Sequence, residues 1–139
     1  MTGLVLDSSI ALCWCFEDEA SEATDRLLER LRTEPALVPN LWHLEIANVL
    51  ALAERRRRIT AADIAEYLAL LGDLELRVDE TTSAHAFGRV LDLARRERLT
   101  AYDASYLELA MRLGVPLATK DGALGAAASR LGVAVLGAD

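Results

Sequence analysis

Four acidic residues have the chemistry and the positions along the chain that a divalent cation site requires. Asp7 and Asp121 each follow a short apolar run that is typical of a buried strand. Glu45 and Asp103 lie early in two predicted helices, among apolar neighbours. A carboxylate is rarely buried without a partner, because removing its charge from water is costly. If these carboxylates converge, a divalent cation with oxygen ligands is the obvious partner.

Each acid also has an ordinary structural interpretation. Asp7 and Asp121 could cap the helices that follow them. Asp103 comes three residues after Thr100, where the acid of a capping box lies. Glu45 could lie at the edge of its helix, with its stem packed and its carboxylate in water. Each interpretation is reasonable alone, but the occurrence of such acids at two strand ends and two helix beginnings favours a shared site.

The elements that must position these acids alternate along the chain. Apolar runs predict strands at residues 3–6, 36–38, 74–78, 115–119 and 133–136. Helical spacing and capping residues predict a first helix from residue 8 or 9 to about 16 and a second helix that ends at about 32. Further helices are predicted at about 41–57, 60–72, 81–96, 100–114 and 121–131. This alternation indicates one α/β domain over residues 1–139, with a parallel sheet of four to five strands and helices on both faces. Ligands of such sheets bind at the carboxyl ends of the strands.

Composition restricts the classes of function. A chain of 139 residues with 53% hydrophobic residues fits one folded domain rather than a disordered segment. The net charge of −7 is opposite to that of a typical nucleic-acid binder, so a nucleic-acid substrate would require metal ions or a local basic patch. The run from Arg55 to Arg58 is such a patch, although a helix end rich in arginine is usually only solvated.

Several features predict a cytoplasmic protein that does not enter a membrane. The sequence has no apolar run of about 18 residues and no basic region before an apolar one at its beginning. Cys13 and Cys15 point to different sides of a predicted helix, which suits two reduced thiols better than an internal disulfide.

The order and spacing of four segments resemble the PIN-domain ribonuclease family, in particular the VapC toxins of type II toxin–antitoxin systems. The matching segments are residues 5–9, 44–50, 99–110 and 117–121. Because their order and spacing and the total length all fit, the resemblance extends over essentially the whole chain. The segment around Asp103 is the most specific of the four.

The resemblance implies a metal-dependent endoribonuclease. Its catalytic and metal-binding acids would be Asp7, Glu45, Asp103 and Asp121, and its supporting polar residues would be Ser9, Asn48, Thr100 and Thr119. Hard oxygen ligands select Mg²⁺, with Mn²⁺ as a substitute. Some family members carry a further acid or polar group one turn after the last aspartate, where this chain has Gly122-Ala-Leu-Gly125. A second metal would therefore have one potential ligand fewer.

The resemblance also implies partners. These are an RNA substrate, of which a transfer RNA or ribosomal RNA is the family's suggestion, and a cognate VapB-type antitoxin that would cover the acids. A homodimer is expected as well, through the helices predicted at residues 41–57 and 60–71, which carry more apolar residues than one face requires.

Three alternatives remain open at this stage. A phosphatase of the haloacid-dehalogenase type expects a second aspartate two residues after the first, where this chain has Ser9. A response-regulator receiver expects paired acids after the first strand and a separate lysine, but Lys120 adjoins Asp121. A non-catalytic PIN-like binding module is the third alternative, and retention of the four acids argues against it.

Overall fold

A parallel sheet organises the molecule. The computed structural model describes residues 2–137, so that Met1 and residues 138–139 of the expected domain lie outside the described residues. The strands are β1 (Leu4–Leu6), β2 (Ala36–Pro39), β3 (Leu76–Asp79), β4 (Leu117–Ala118) and β5 (Val135–Leu136). They are all parallel and follow the order β3-β2-β1-β4-β5, which confirms the predicted α/β domain at five strands.

Strand β1 lies at the centre of the sheet. Its residues Leu4, Val5 and Leu6 are each 0% exposed. Because successive side chains of a strand point to opposite faces, both faces of β1 are covered. Val5 is in register with Leu37 of β2 and with Leu117 of β4. The edge strands β3 and β5 are only partly buried, whereas the three central strands are buried along their whole length.

Helices flank the sheet. They are α1 (Ser8–Cys13), α2 (Glu22–Arg30), α3 (Trp42–Arg55), α4 (Ala61–Gly72), α5 (Thr82–His85), α6 (Leu91–Glu97), α7 (Ala101–Leu113) and α8 (Gly122–Arg130). Helix α7 packs against β1, β2 and β4, and its residues 104–110 are all buried. Among the described residues, no helix has the length and apolar character needed to cross a membrane.

Capping residues set the helix boundaries where the sequence predicts them. The hydroxyls of Thr60 and Thr100 accept the amide of the third residue of α4 and α7, respectively. Helix α7 ends at Gly114, whose φ of +66° is the left-handed conformation that glycine adopts without steric cost. These predicted boundaries are confirmed.

Three helices differ from the prediction. Helix α1 ends at Cys13 rather than near Phe16. The single helix expected over residues 81–96 contains a π-helical turn at Ala86–Val90 between α5 and α6, and Phe87 in this turn is 93% exposed. A π turn accommodates one more residue than an α turn, and the sequence has no simple signal for it. Helix α3 ends at Arg55 rather than near Arg57, because Arg57 adopts a left-handed φ of +58°.

Candidate active site

Asp7 lies at the carboxyl end of β1, where the strand order reverses between β1 and β4. Its amide donates to the Ala118 carbonyl at 3.0 Å, and the residue is only 3% exposed. Although Asp7 occupies the N-cap position of α1, its side chain makes no capping hydrogen bond. Instead, Oδ2 accepts the hydroxyls of Ser9 and Thr119, each at 2.7 Å. The capping role considered from the sequence is thus wrong for this side chain.

The two hydroxyls that hold Asp7 also fix the loop after β4. Ser9 Oγ accepts the Lys120 amide at 3.0 Å, and Thr119 Oγ1 accepts the Asp121 amide at 3.0 Å. Thr119 is 1% exposed, so this small network is enclosed. It joins the end of β1 to the end of β4 and fixes the backbone position of Asp121.

Asp121 does cap a helix. Its Oδ1 accepts the Leu124 amide at 2.9 Å at the beginning of α8, as the structural interpretation predicts. The hydrogen bonds within residues 2–137 engage only this one oxygen of the carboxylate. Asp121 is exposed, so its other oxygen, Oδ2, is accessible to a ligand.

Glu45 lies in the first turn of α3 and is partly buried. Its Oε1 accepts the hydroxyl of Tyr106, a residue of α7. Burial raises the pKa of Glu45 above its usual value, and the nearby Asp103 raises it further. The hydroxyls of Tyr106 and Ser8 oppose that rise, because they stabilise the charged form.

Asp103 lies in the first turn of α7 and is also partly buried. Its amide donates to Thr100 Oγ1 at 3.1 Å. Burial is the main cause of a raised pKa at Asp103, and the charges of Asp121 and Asp7 add to it, while Thr100 acts in the opposite direction. The pKa of Asp7 is raised for the same main reason, and Glu45 and Asp121 contribute, whereas Ser9 and Thr119 lower it.

The four acids therefore share one electrostatic neighbourhood, although their side chains do not form a closed set of ligands. Asp7 interacts with each of Glu45, Asp103 and Asp121, and Asp103 interacts with Glu45 and Asp121. Within residues 2–137, no three His, Cys, Asp or Glu side chains are grouped closely enough to hold one ion as they stand. Mutual repulsion of like charges opposes a closer approach.

The predicted supporting residues have different positions. Ser9 and Thr119 hold Asp7, and Thr100 caps α7. Asn48 is exposed on α3, one turn after Glu45, and its side chain makes no hydrogen bond in the part of the chain that the structure describes.

Sequence patterns alone do not identify Tyr106 as part of the site, although it is 0% exposed and its hydroxyl donates to Glu45. The only available signal was its position three residues after Asp103, on a face of the helix that should be covered. Burial and the bond to Glu45 raise the pKa of Tyr106, so its phenol stays protonated and remains a donor.

Within the described part of the chain, no basic side chain forms a salt bridge with any of the four acids. Glu108, which is 2% exposed, forms a salt bridge with Arg112 at 2.8 Å. Asp7 is buried to a similar extent, yet no salt bridge within residues 2–137 involves it or the other three acids. A set of carboxylate and hydroxyl oxygens with uncompensated negative charge fits a hard divalent cation.

A comparison with family models matches residues 4–129 to the PIN domain. This chain belongs to the PIN-domain family. PIN domains are typically metal-dependent nucleases, and they often pair with an antitoxin and bind RNA. Membership of this family removes the grounds for the phosphatase and receiver alternatives.

Solved structures support the fold of this PIN domain. The chain is similar to PAE2754 from Pyrobaculum aerophilum, with a TM-score of 0.69 and 23% sequence identity. The similarity covers 96% of this chain and 82% of that one. At this level of identity it supports the fold alone. No curated protein matches the sequence.

Proposed function

We propose that this PIN domain is a Mg²⁺-dependent endoribonuclease that acts as the toxin of a VapBC-type toxin–antitoxin system. The observation that carries the proposal is the burial of Asp7, which is 3% exposed at the end of β1. Within residues 2–137, the hydrogen-bond donors to its carboxylate are the two hydroxyls of Ser9 and Thr119. A buried carboxylate without a cation is unfavourable, and three further acids in its neighbourhood increase the negative charge. A bound divalent cation would remove this conflict.

The residues proposed to hold the cation are Asp7, Glu45, Asp103 and Asp121. Ser9 and Thr119 restrain the carboxylate of Asp7 by two hydrogen bonds to one oxygen. Mg²⁺, for which Mn²⁺ could substitute, would supply positive charge against the phosphodiester and make water a better nucleophile. The segment from Gly122 to Gly125 adds no side-chain ligand for a second cation.

Cleavage of a labelled RNA tests this proposal. The wild-type chain should cleave with Mg²⁺ or Mn²⁺ and should be inactive with EDTA. Asp7→Asn should be inactive under all these conditions, whereas Asp63→Asn, a change outside the acid cluster, should cleave like the wild type. A folded wild-type chain that binds RNA without cleaving it would instead support a non-catalytic PIN module. Cleavage that persists in EDTA would contradict the metal-dependent mechanism.

A cognate antitoxin is the proposed regulator. An acidic site favours a basic segment, and arginine suits it because a guanidinium can bind a carboxylate through two hydrogen bonds. Apolar anchors outside the site would supply most of the affinity. Replacing that arginine of the antitoxin should restore cleavage more than it weakens the complex, as calorimetry and cleavage assays would show. If the affinity of the complex and the inhibition of cleavage instead fall together, inhibition comes from the anchors.

A groove of about 880 Å³ is a suitable place for such anchors, and none of the four acids lines it. Its apolar lining residues include Trp14, Phe16, Ile59 and Tyr67, and its acidic ones are Glu17, Asp18, Asp63 and Glu66. Arg58 also lines it, but its Nη2 donates to Asp18 and Glu19, at 3.0 and 2.8 Å from their nearest oxygens, so its charge is compensated. The apolar residues of the lining, with the acids Glu17, Asp63 and Glu66 that form no salt bridge within residues 2–137, fit a segment that carries apolar and basic residues.

Charge reversal in the groove separates anchoring from catalysis. Glu66 is exposed, so Glu66→Lys should leave the fold intact. Placing like charges opposite each other costs binding energy, and the antitoxin's affinity should fall at least about tenfold. Cleavage by the free chain should stay unchanged. Unchanged antitoxin affinity in this variant would exclude the groove as the anchoring surface.

A homodimer is proposed through α3 and α4. Leu44 of α3 is 75% exposed and Leu68 of α4 is 49% exposed, which is unfavourable for apolar side chains in water. Light scattering at micromolar concentrations should give twice the mass of one chain, and Leu68→Glu should shift the mass toward one chain. A wild-type chain that is monomeric throughout this range would contradict the proposal.

A further inference from the structure

Tyr106 connects two of the acid-bearing helices inside the molecule. It lies on α7, one turn after Asp103, and is 0% exposed. Its hydroxyl donates to Oε1 of Glu45 on α3, a residue 61 positions earlier in the chain. The Ser8 hydroxyl also stabilises the charged form of this glutamate, but Tyr106 is the partner that comes from another acid-bearing helix.

A second buried tyrosine shows what an ordinary structural contact is in this chain. Tyr67 is 4% exposed, and its hydroxyl donates to the backbone carbonyl of Ala11 at 2.5 Å. A carbonyl oxygen is already fixed by the backbone, so this bond satisfies the phenol and orients nothing else. The acceptor of Tyr106 is a flexible carboxylate, and bonding one of its oxygens restricts where the other can point.

We propose that Tyr106 is a positioning residue that restrains the Glu45 carboxylate through Oε1, so that Glu45 would be oriented to bind the divalent cation. This inference rests on the proposed metal-dependent function. Carboxylates that bind metals are commonly oriented by a hydrogen-bonding partner behind them, and loss of such a partner weakens metal affinity about 10- to 100-fold. Because α7 also carries Asp103, the bond joins the two helices that carry these proposed ligands.

Mn²⁺ titration of the RNA-free chain, followed by calorimetry, tests the role of Tyr106. Tyr106→Phe removes one hydroxyl and should raise the dissociation constant for Mn²⁺ about tenfold. Tyr67→Phe removes a hydroxyl from an equally buried site and should leave that constant within about twofold. Thermal melting of both variants separates loss of fold from loss of metal affinity. Tyr106→Phe that is folded and binds Mn²⁺ like the wild type would overturn the inference.

A double-mutant cycle tests whether Tyr106 acts through Glu45. In a Glu45→Ala background, Tyr106→Phe should cause no further loss of Mn²⁺ affinity, because the oriented group is absent. Two independent, additive losses would overturn the positioning role. A high Mg²⁺ concentration should also restore cleavage by Tyr106→Phe, whereas a purely structural defect would not respond.

The same titrations distinguish failure of this inference from failure of the proposed function. If the wild-type chain binds no Mn²⁺ and cleaves no RNA, the metal-dependent function is wrong and the inference is wrong with it. If the wild type binds Mn²⁺ and Glu45→Ala weakens that binding but Tyr106→Phe does not, only the inference is wrong.

Discussion

Helices α4 and α7 begin with the same pattern of threonine, alanine, any residue and aspartate, but the two aspartates have different surroundings. At α4, Thr60 Oγ1 accepts the Asp63 amide at 3.1 Å and Asp63 Oδ2 accepts the Thr60 amide at 3.0 Å, which completes a capping box. At α7, Thr100 Oγ1 accepts the Asp103 amide at 3.1 Å, but no return bond from the Thr100 amide occurs within residues 2–137.

The pKa values of the two aspartates are shifted in opposite directions. Asp63 is exposed, and its pKa is lowered because the amide and hydroxyl of Thr60 stabilise the charged carboxylate. Burial raises the pKa of Asp103, and the charges of Asp121 and Asp7 add to that effect. The motif is the same, so the difference comes from the strand ends that the fold brings near α7. A local pattern can specify the helix boundary without specifying the role of its acid.

The largest expected difference between the two aspartates is in catalysis. Asp103→Asn removes a proposed metal ligand, and the loss of that contribution should slow RNA cleavage by at least about a hundredfold. Asp63→Asn should change the rate by less than about twofold, because Asp63 caps a helix outside the acid cluster. Single-turnover cleavage of the same RNA by both variants measures this contrast. Equal activity in the two variants would place Asp103 with the structural caps.

The second largest difference between the two aspartates should be in how much a bound metal stabilises each variant. A ligand that binds only the native state stabilises it by about 2.7 kcal/mol at a hundredfold excess over its dissociation constant. Saturating Mn²⁺ should thus raise the melting temperature of the wild type and of Asp63→Asn, but hardly that of Asp103→Asn. Ca²⁺-free buffer with EDTA provides the baseline for each protein. A similar Mn²⁺ response in both variants would count against Asp103 as a ligand.

The pH dependence of stability should have opposite signs at the two positions when EDTA is present. The pKa of Asp103 is raised in the native state, so the native state binds its proton more tightly and loses stability as pH rises from about 3.8 through the native pKa. Asp103→Asn should therefore stabilise the metal-free chain at pH 7, and this gain should disappear below the unfolded pKa.

Asp63 should behave in the reverse way. Its native pKa lies below 3.8, so its stabilising contribution is present above that value and is lost as pH falls through the native pKa. Asp63→Asn should lower the melting temperature at pH 7 and have no effect at strongly acidic pH. Melting curves of both variants from acidic to neutral pH give the two signs. Curves of the same sign would contradict the difference in surroundings.

Most of the fold follows from local signals in the sequence. The apolar runs predict each strand, and the caps at Thr60, Thr100 and Gly114 predict three helix boundaries. These signals work because a strand that is buried on both faces has a nearly continuous apolar sequence, and because a helix cap bonds an amide only two or three residues away. The π-helical turn at Ala86–Val90 could not be predicted, because its altered hydrogen bonding has no comparable residue signature.

The candidate site was predictable only in part. The positions of Asp7 and Asp121 after two strands are sequence features, and parallel strands bring their carboxyl ends to one edge. The bonds from Ser9 and Thr119 to Asp7, and from Tyr106 to Glu45, depend on side-chain geometry between distant segments. Sequence spacing therefore identifies acids that influence one another. It cannot show that Asp121 caps a helix, that Asp7 accepts two hydroxyls, or that Glu45 accepts the Tyr106 phenol.

The smallest expected effect concerns the two threonines, where α4 and α7 should agree. Each hydroxyl accepts the amide of the third helical residue at 3.1 Å, so Thr60→Ala and Thr100→Ala each remove one capping bond. Each change should cost about 1 kcal/mol of unfolding free energy, measured by urea denaturation. Thr60→Ala should leave cleavage unchanged, while Thr100→Ala should slow it slightly, since the first turn of α7 carries Asp103.

Equal losses of stability with unequal effects on cleavage would separate the two functions of this motif. The cap is local, so its energetic contribution should not depend on what surrounds the helix. The acid acts on whatever lies nearby, so the consequence of misplacing it should differ between α4 and α7. A Thr100→Ala variant that loses much more stability than Thr60→Ala would show that Thr100 supports the acid cluster directly, beyond its capping bond.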